Sequence, residues 1–98
     1  MTDPSQEESK MAVDVAIQSP TVPKFYMNGF NIGQSASDIF LVMNLMTRPL
    51  GIVHMSFTTA KTLMIALQGA MESLETKIKQ PILSMDEILD KKDEQIDL

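Results

Sequence analysis

The sequence has 98 residues, 13 acidic and 8 basic side chains for a formal net charge of -5, nine methionines, four phenylalanines, one tyrosine, and neither tryptophan nor cysteine. That length allows one small domain, and the missing cysteine excludes a disulfide framework, a thiolate metal cluster and a cysteine nucleophile, so packing alone must hold the chain. The longest apolar run, Ile39 to Met43, falls far short of the about 20 residues a membrane-spanning helix needs. The acidic start, Met1-Thr2-Asp3-Pro4-Ser5-Gln6-Glu7-Glu8, lacks the basic-then-apolar order of a secretory signal. The expectation is a soluble, cytoplasmic protein with no membrane partner and no cofactor.

Charge divides the chain into three zones. Residues 1 to 20 set Asp3, Glu7, Glu8 and Asp14 against Lys10, and residues 81 to 98 carry six acids against Lys91 and Lys92. Between them, Lys24, Arg48, Lys61, Lys77 and Lys79 outnumber Asp38, Glu72 and Glu75. The acidity therefore belongs to the ends. Residues 1–22 read as a disordered acidic tail, because the short run Met11 to Ile17 offers too few apolar groups to offset about 1–2 kcal/mol of ordering entropy per residue. The alternation around Asp14 leaves a docking strand as the other reading of that run.

Residues 23–80 read as the folded domain. Phe25, Tyr26 and Met27, then Phe30 and Ile32, predict a first strand whose apolar parity slips at Asn28-Gly29, the signature of a β-bulge. Gly33 to Ser37 predicts a turn, Asp38 to Thr47 a second strand, Arg48-Pro49-Leu50-Gly51 another turn, and Ile52 to Met55 a third strand. Connections this short imply an antiparallel meander. Ser56 stands as the N-cap of a helix from Phe57 to about Lys79, which Pro81 ends. Ala60, Leu63, Met64, Leu67, Ala70, Met71, Leu74 and Ile78 recur every three or four residues and line one stripe, and Glu75 and Lys79 form an i,i+4 pair. In the acidic segment 81–98, Ser84-Met85-Asp86-Glu87 matches a capping box and opens a short helix through Leu89, frayed beyond Lys91. The fold class is thus α+β: a three-stranded antiparallel meander, one long amphipathic helix, a disordered N-terminal tail and a short C-terminal helix.

The second strand carries apolar residues on both faces, with Ile39, Leu41, Met43 and Leu45 on one and Phe40, Val42 and Met46 on the other. One long helix can cover one face. With only about 60 ordered residues, burial is marginal for a lone domain, so Phe40, Val42 and Met46 are expected to form the interface of a homodimer. The alternative is a monomer whose second strand is simply apolar. Methionines in the structured middle fill irregular cores, or line a groove that accepts apolar segments.

Phe25-Tyr26-Met27-Asn28, Ser37-Asp38-Ile39-Phe40-Leu41, and Met55-Ser56-Phe57-Thr58-Thr59-Ala60-Lys61-Thr62-Leu63-Met64 resemble a family of short bacterial, archaeal and phage proteins of unassigned function. That family's helix entry is commonly Met-Ser-Pro-x-x-Ala-Lys-x-Leu. The likeness covers roughly residues 24 to 82; Phe57 stands where the family has proline, and Asn44-Leu45 where it often has Phe-Gly. The resemblance implies the β-β-β-α order and a prokaryotic or phage origin, and it supplies no activity for the chain. In architecture and acidity the chain is also similar to the strand-strand-strand-helix units of SecB-type export chaperones, which is analogy alone.

Chemistry is sparse. His54 is the single histidine, read as a partly buried, hydrogen-bonded strand residue rather than a metal ligand, because no second His or Cys can join it. Asp38 caps a turn, and Arg48 at the far end of the same strand lies about 30 Å away at 3.3 Å per residue, so the two cannot act together within one chain. Gly29 and Gly33 do not precede a helix and form no phosphate loop. The expectation is no enzyme. Lys24, Tyr26, Phe30, Arg48 and Lys61 would supply the cations and stacking rings of a single-stranded nucleic-acid-binding dimer, against which the acidic ends would compete. Ile82, Met85, Ile88 and Leu89 form an apolar strip that either docks in a protein partner's groove or folds back on its own sheet. The leading reading is a homo-oligomeric, non-enzymatic protein-protein interaction module, an adapter or regulator; the next is the nucleic-acid binder, and the third a chaperone-like binder of apolar segments.

Overall fold

The computed structural model of the chain describes residues 4–96, with side chains over 7–90. Its elements run α1 (Pro4–Gln18), β1 (Gly29–Gln34), β2 (Asp38–Leu45), β3 (Arg48–Ser56), α2 (Phe57–Ile78) and α3 (Met85–Ile96). The three strands form one antiparallel sheet in the order β1-β2-β3, followed by the long helix and the shorter C-terminal one, which is the expected α+β order. Two compact units divide the chain: residues up to 35 together with 40–54, and residues 36–39 together with 55 onward.

Caps explain where the helices begin and end. The Ser56 hydroxyl accepts the Thr59 N–H at 3.1 Å, satisfying one of the donors that the first turn of α2 leaves over. At the other end Lys79 takes the left-handed conformation, φ 58°, and its N–H reaches the Glu75 carbonyl, before Pro81. The capping box before α3 is reciprocal: Glu87 N–H donates to Ser84 Oγ at 3.3 Å, and Ser84 N–H to Glu87 Oε1 at 3.1 Å.

Four expectations are corrected. Residues 4–18 are helical, not a disordered tail or a docking strand. Their Glu, Lys, Met, Ala and Gln residues favour helix, Pro4 fits its first turn, and Pro20 bars continuation. Phe25, Tyr26 and Met27 lie before β1, which starts at Gly29, and no glycine among the described residues has positive φ, so the parity slip marks the strand's start and not a bulge. The β2–β3 turn falls at Met46-Thr47, earlier than the Arg48-Pro49 pair that reads as a breaker. Pro49 lies within β3, an outer strand of the sheet, where proline is tolerated. Finally, α3 continues beyond Leu89 to Ile96.

Among the described residues none is buried. In β2 the residues from Asp38 to Asn44 are half-buried and only Leu45 is exposed. In α2 Ala60 and Glu75 are half-buried and every other residue is exposed.

Candidate interaction surface

In the sheet, the side chains of one face meet across all three strands. The Phe40 ring on β2 lies over Gly33 on β1, where a Cβ would run into it, and its centroid is 5.7 Å from that of His54 on β3 at a 43° tilt. A glycine facing an aromatic across a strand pair lets the ring lie flat on the neighbouring backbone. On the same β1–β2 pair, Asn44 Nδ2 donates to Asn31 Oδ1 at 2.8 Å. Gly51 of β3 lies against the methyl of Met43, on the opposite face. His54 is exposed beside this ring, which corrects the partly buried placement expected for it.

Asn28 fixes the β2–β3 turn. Its backbone N–H donates to the Asn44 carbonyl at 3.0 Å, its Oδ1 accepts the Met46 N–H at 2.7 Å, and its Nδ2 approaches Met46 Sδ at 3.3 Å. Met46, held this way, has φ 58°, a conformation that side chains oppose. Of the three residues expected at an oligomer interface, Phe40 and Val42 are half-buried on β2, whereas Met46 is 77% exposed in the turn and not on the strand. Strand alternation therefore does not set Met46 beside the other two.

The residues considered for nucleic acid are scattered over different elements. Lys24 Nζ donates to the carbonyls of Ser19 at 2.8 Å and Val22 at 3.2 Å, so its ammonium folds back on the chain. Tyr26, 79% exposed, precedes β1; Phe30 lies on β1, Arg48 opens β3, and Lys61 is on α2. In the C-terminal strip, Met85, Ile88 and Leu89 occupy one face of α3 at spacings of three and four, all exposed, with Ile82 ahead of them.

α2 carries an apolar stripe along its length. Leu67 is 57% exposed, Met64 51%, and Met71, Leu74 and Ile78 are exposed as well, although their spacing is that of a core-facing stripe. At its C-terminal end Glu75 Oε2 accepts the Ile82 N–H at 2.7 Å, tying the segment after the helix to the last turn. The expected Glu75–Lys79 pairing gives way to this tie and to the Lys79 cap. The sequence signals the stripe; it does not signal the contact to Ile82, which depends on how the chain turns at Lys79.

Among the described residues no group of three or more His, Cys, Asp or Glu is placed to hold a metal ion, and no helix is long and apolar enough to cross a membrane. No family model, no curated protein and no solved structure matches the chain.

Proposed function

We propose that this chain is a small non-enzymatic interaction module of the cytoplasm that completes its fold by association, first with a second copy of itself, and acts as an adapter or regulator of a protein partner. The observation that carries this reading is the absence of any buried residue among the described ones, set beside exposed Leu, Ile, Met and Phe at regular helical spacing on α2. A chain that leaves such a stripe in water forgoes about 25 cal/mol for every Å² it could cover, against an ordering cost of about 1–2 kcal/mol per residue. Association is the available source of that burial, as in dimers that lack a stable folded monomer. The exposed strip of Met85, Ile88 and Leu89, flanked by Asp86, Glu87 and Asp90, has the form of a short amphipathic helix offered to another protein.

Light scattering at micromolar protein tests the reading. A mass of two or more chains, with a melting temperature that rises with concentration, is the expected result. A folded species of one chain, melting at a concentration-independent temperature, overturns it.

A further inference from the structure

The apolar stripe of α2 has a stricter order than amphipathicity requires. Phe57, Met64, Met71 and Ile78 stand seven residues apart, and Ala60, Leu67 and Leu74 each follow three residues after one of them. This is the a/d heptad of a coiled-coil seam, sustained over 22 residues or about 33 Å of helix. Its six large members are 41 to 57% exposed. We infer that α2 pairs with α2 of a second copy, antiparallel, in the single register that sets Met64 against the partner's Leu74 and Leu67 against the partner's Met71. The inference deepens the self-association reading above by naming its surface and its geometry.

Charge decides both the occupant and the direction. The positions just after Ala60, Leu67 and Leu74 are Lys61, Gln68 and Glu75, and they form one flank of the seam. In an antiparallel pair this flank faces its own counterpart in reverse order, so Lys61 meets the partner's Glu75, Gln68 meets the partner's Gln68, and the ion pair occurs twice by symmetry. The other flank, Leu63, Ala70 and Lys77, brings Lys77 to the partner's Leu63, over which its methylene stem can lie. No like charges meet. A parallel pair would set one flank against the other, placing Gln68 by Leu63 and Glu75 by Ala70, with no ion pair and with the helix dipoles aligned. Among the charged residues of α2 only Glu75 is half-buried, and the Ile82 N–H at 2.7 Å holds one of its carboxylate oxygens in place, so the acid of the pair is already positioned on the helix.

Because the chain has no cysteine, introduced thiols report this register without background. Full-length chains carrying M64C and L74C are oxidised separately and after mixing in reductant. A disulfide that forms in the mixture, with neither chain linking to itself, is expected, since each position faces the other and lies about 15 Å along the helix from its own copy. Self-linkage of M64C alone overturns the direction. A dimer by light scattering whose mixed thiols do not link overturns the inference and leaves the proposed function standing; a monomer ends both. K61E and E75K leave every seam residue in place, although E75K also releases the Ile82 N–H, and they give a second readout. Each alone is expected to weaken self-association about tenfold, whereas an equimolar mixture of the two recovers wild-type affinity within about twofold, because every reversed charge then meets an opposite one. Equal weakening in the mixture overturns the proposed pairing.

Discussion

β2 and α2 are the two most apolar elements of the chain, and their surroundings differ. β2 cannot exist by itself: its backbone donors and acceptors need neighbours, so bringing up β1 and β3 to satisfy them also half-covers its side chains from Asp38 to Asn44. α2 satisfies its own backbone between its caps and needs no neighbour to form, so its stripe can remain in water. The difference teaches that a regular helix is no guarantee of a core, and that an exposed heptad is where a second molecule has most to contribute.

The sharpest way to break that comparison is Leu67→Asp. It places a charge in the middle of the stripe and leaves the sheet untouched. Association is expected to weaken by more than about 30-fold, a loss of about 2–4 kcal/mol, read as a fall in mass by light scattering at fixed concentration. Gly33→Ala strikes the other region. The added methyl displaces the Phe40 ring, and a loss of about 1–3 kcal/mol is expected in urea unfolding at every protein concentration, with the dimer constant unchanged. Ser56→Ala removes the hydroxyl that accepts the Thr59 N–H and is expected to cost about 1 kcal/mol, detectable as a lower melting temperature by circular dichroism. Asn28→Ala releases the Met46 N–H. Because the turn is exposed, the cost is expected to be the smallest, about 0.5–1 kcal/mol, with faster amide exchange confined to residues 44–48.

Much of the secondary structure was legible. Ser56 followed by helical periodicity, and Ser84 three residues before Glu87, are local signals whose physics lies within one turn, and both caps form. What escaped was decided by neighbours or by competing local preferences. Pro49 reads as a breaker unless its strand is known to be outermost, and the Met46-Thr47 turn depends on Asn28, eighteen residues earlier. The helix at residues 4–18 follows from propensity, which the weak apolar content of that stretch obscured. At the candidate surface, the α2 stripe was readable residue by residue, but its exposure was not, because periodicity states which side chains share a face and says nothing of what covers it. The Phe40–Gly33 overlap and the His54 contact carry no sequence signal beyond a glycine and a ring in adjacent strands.

Pro49 has one more consequence. An outermost strand offers its unused donors and acceptors to any extended chain that drifts alongside, which is how sheets grow into insoluble fibrils. With an imide nitrogen at position 49, β3 is a less regular template for an added strand than an unbroken edge would be. The same residue that misleads a reader about the turn thus blunts one of the two edges of the sheet, in a chain with much exposed apolar surface.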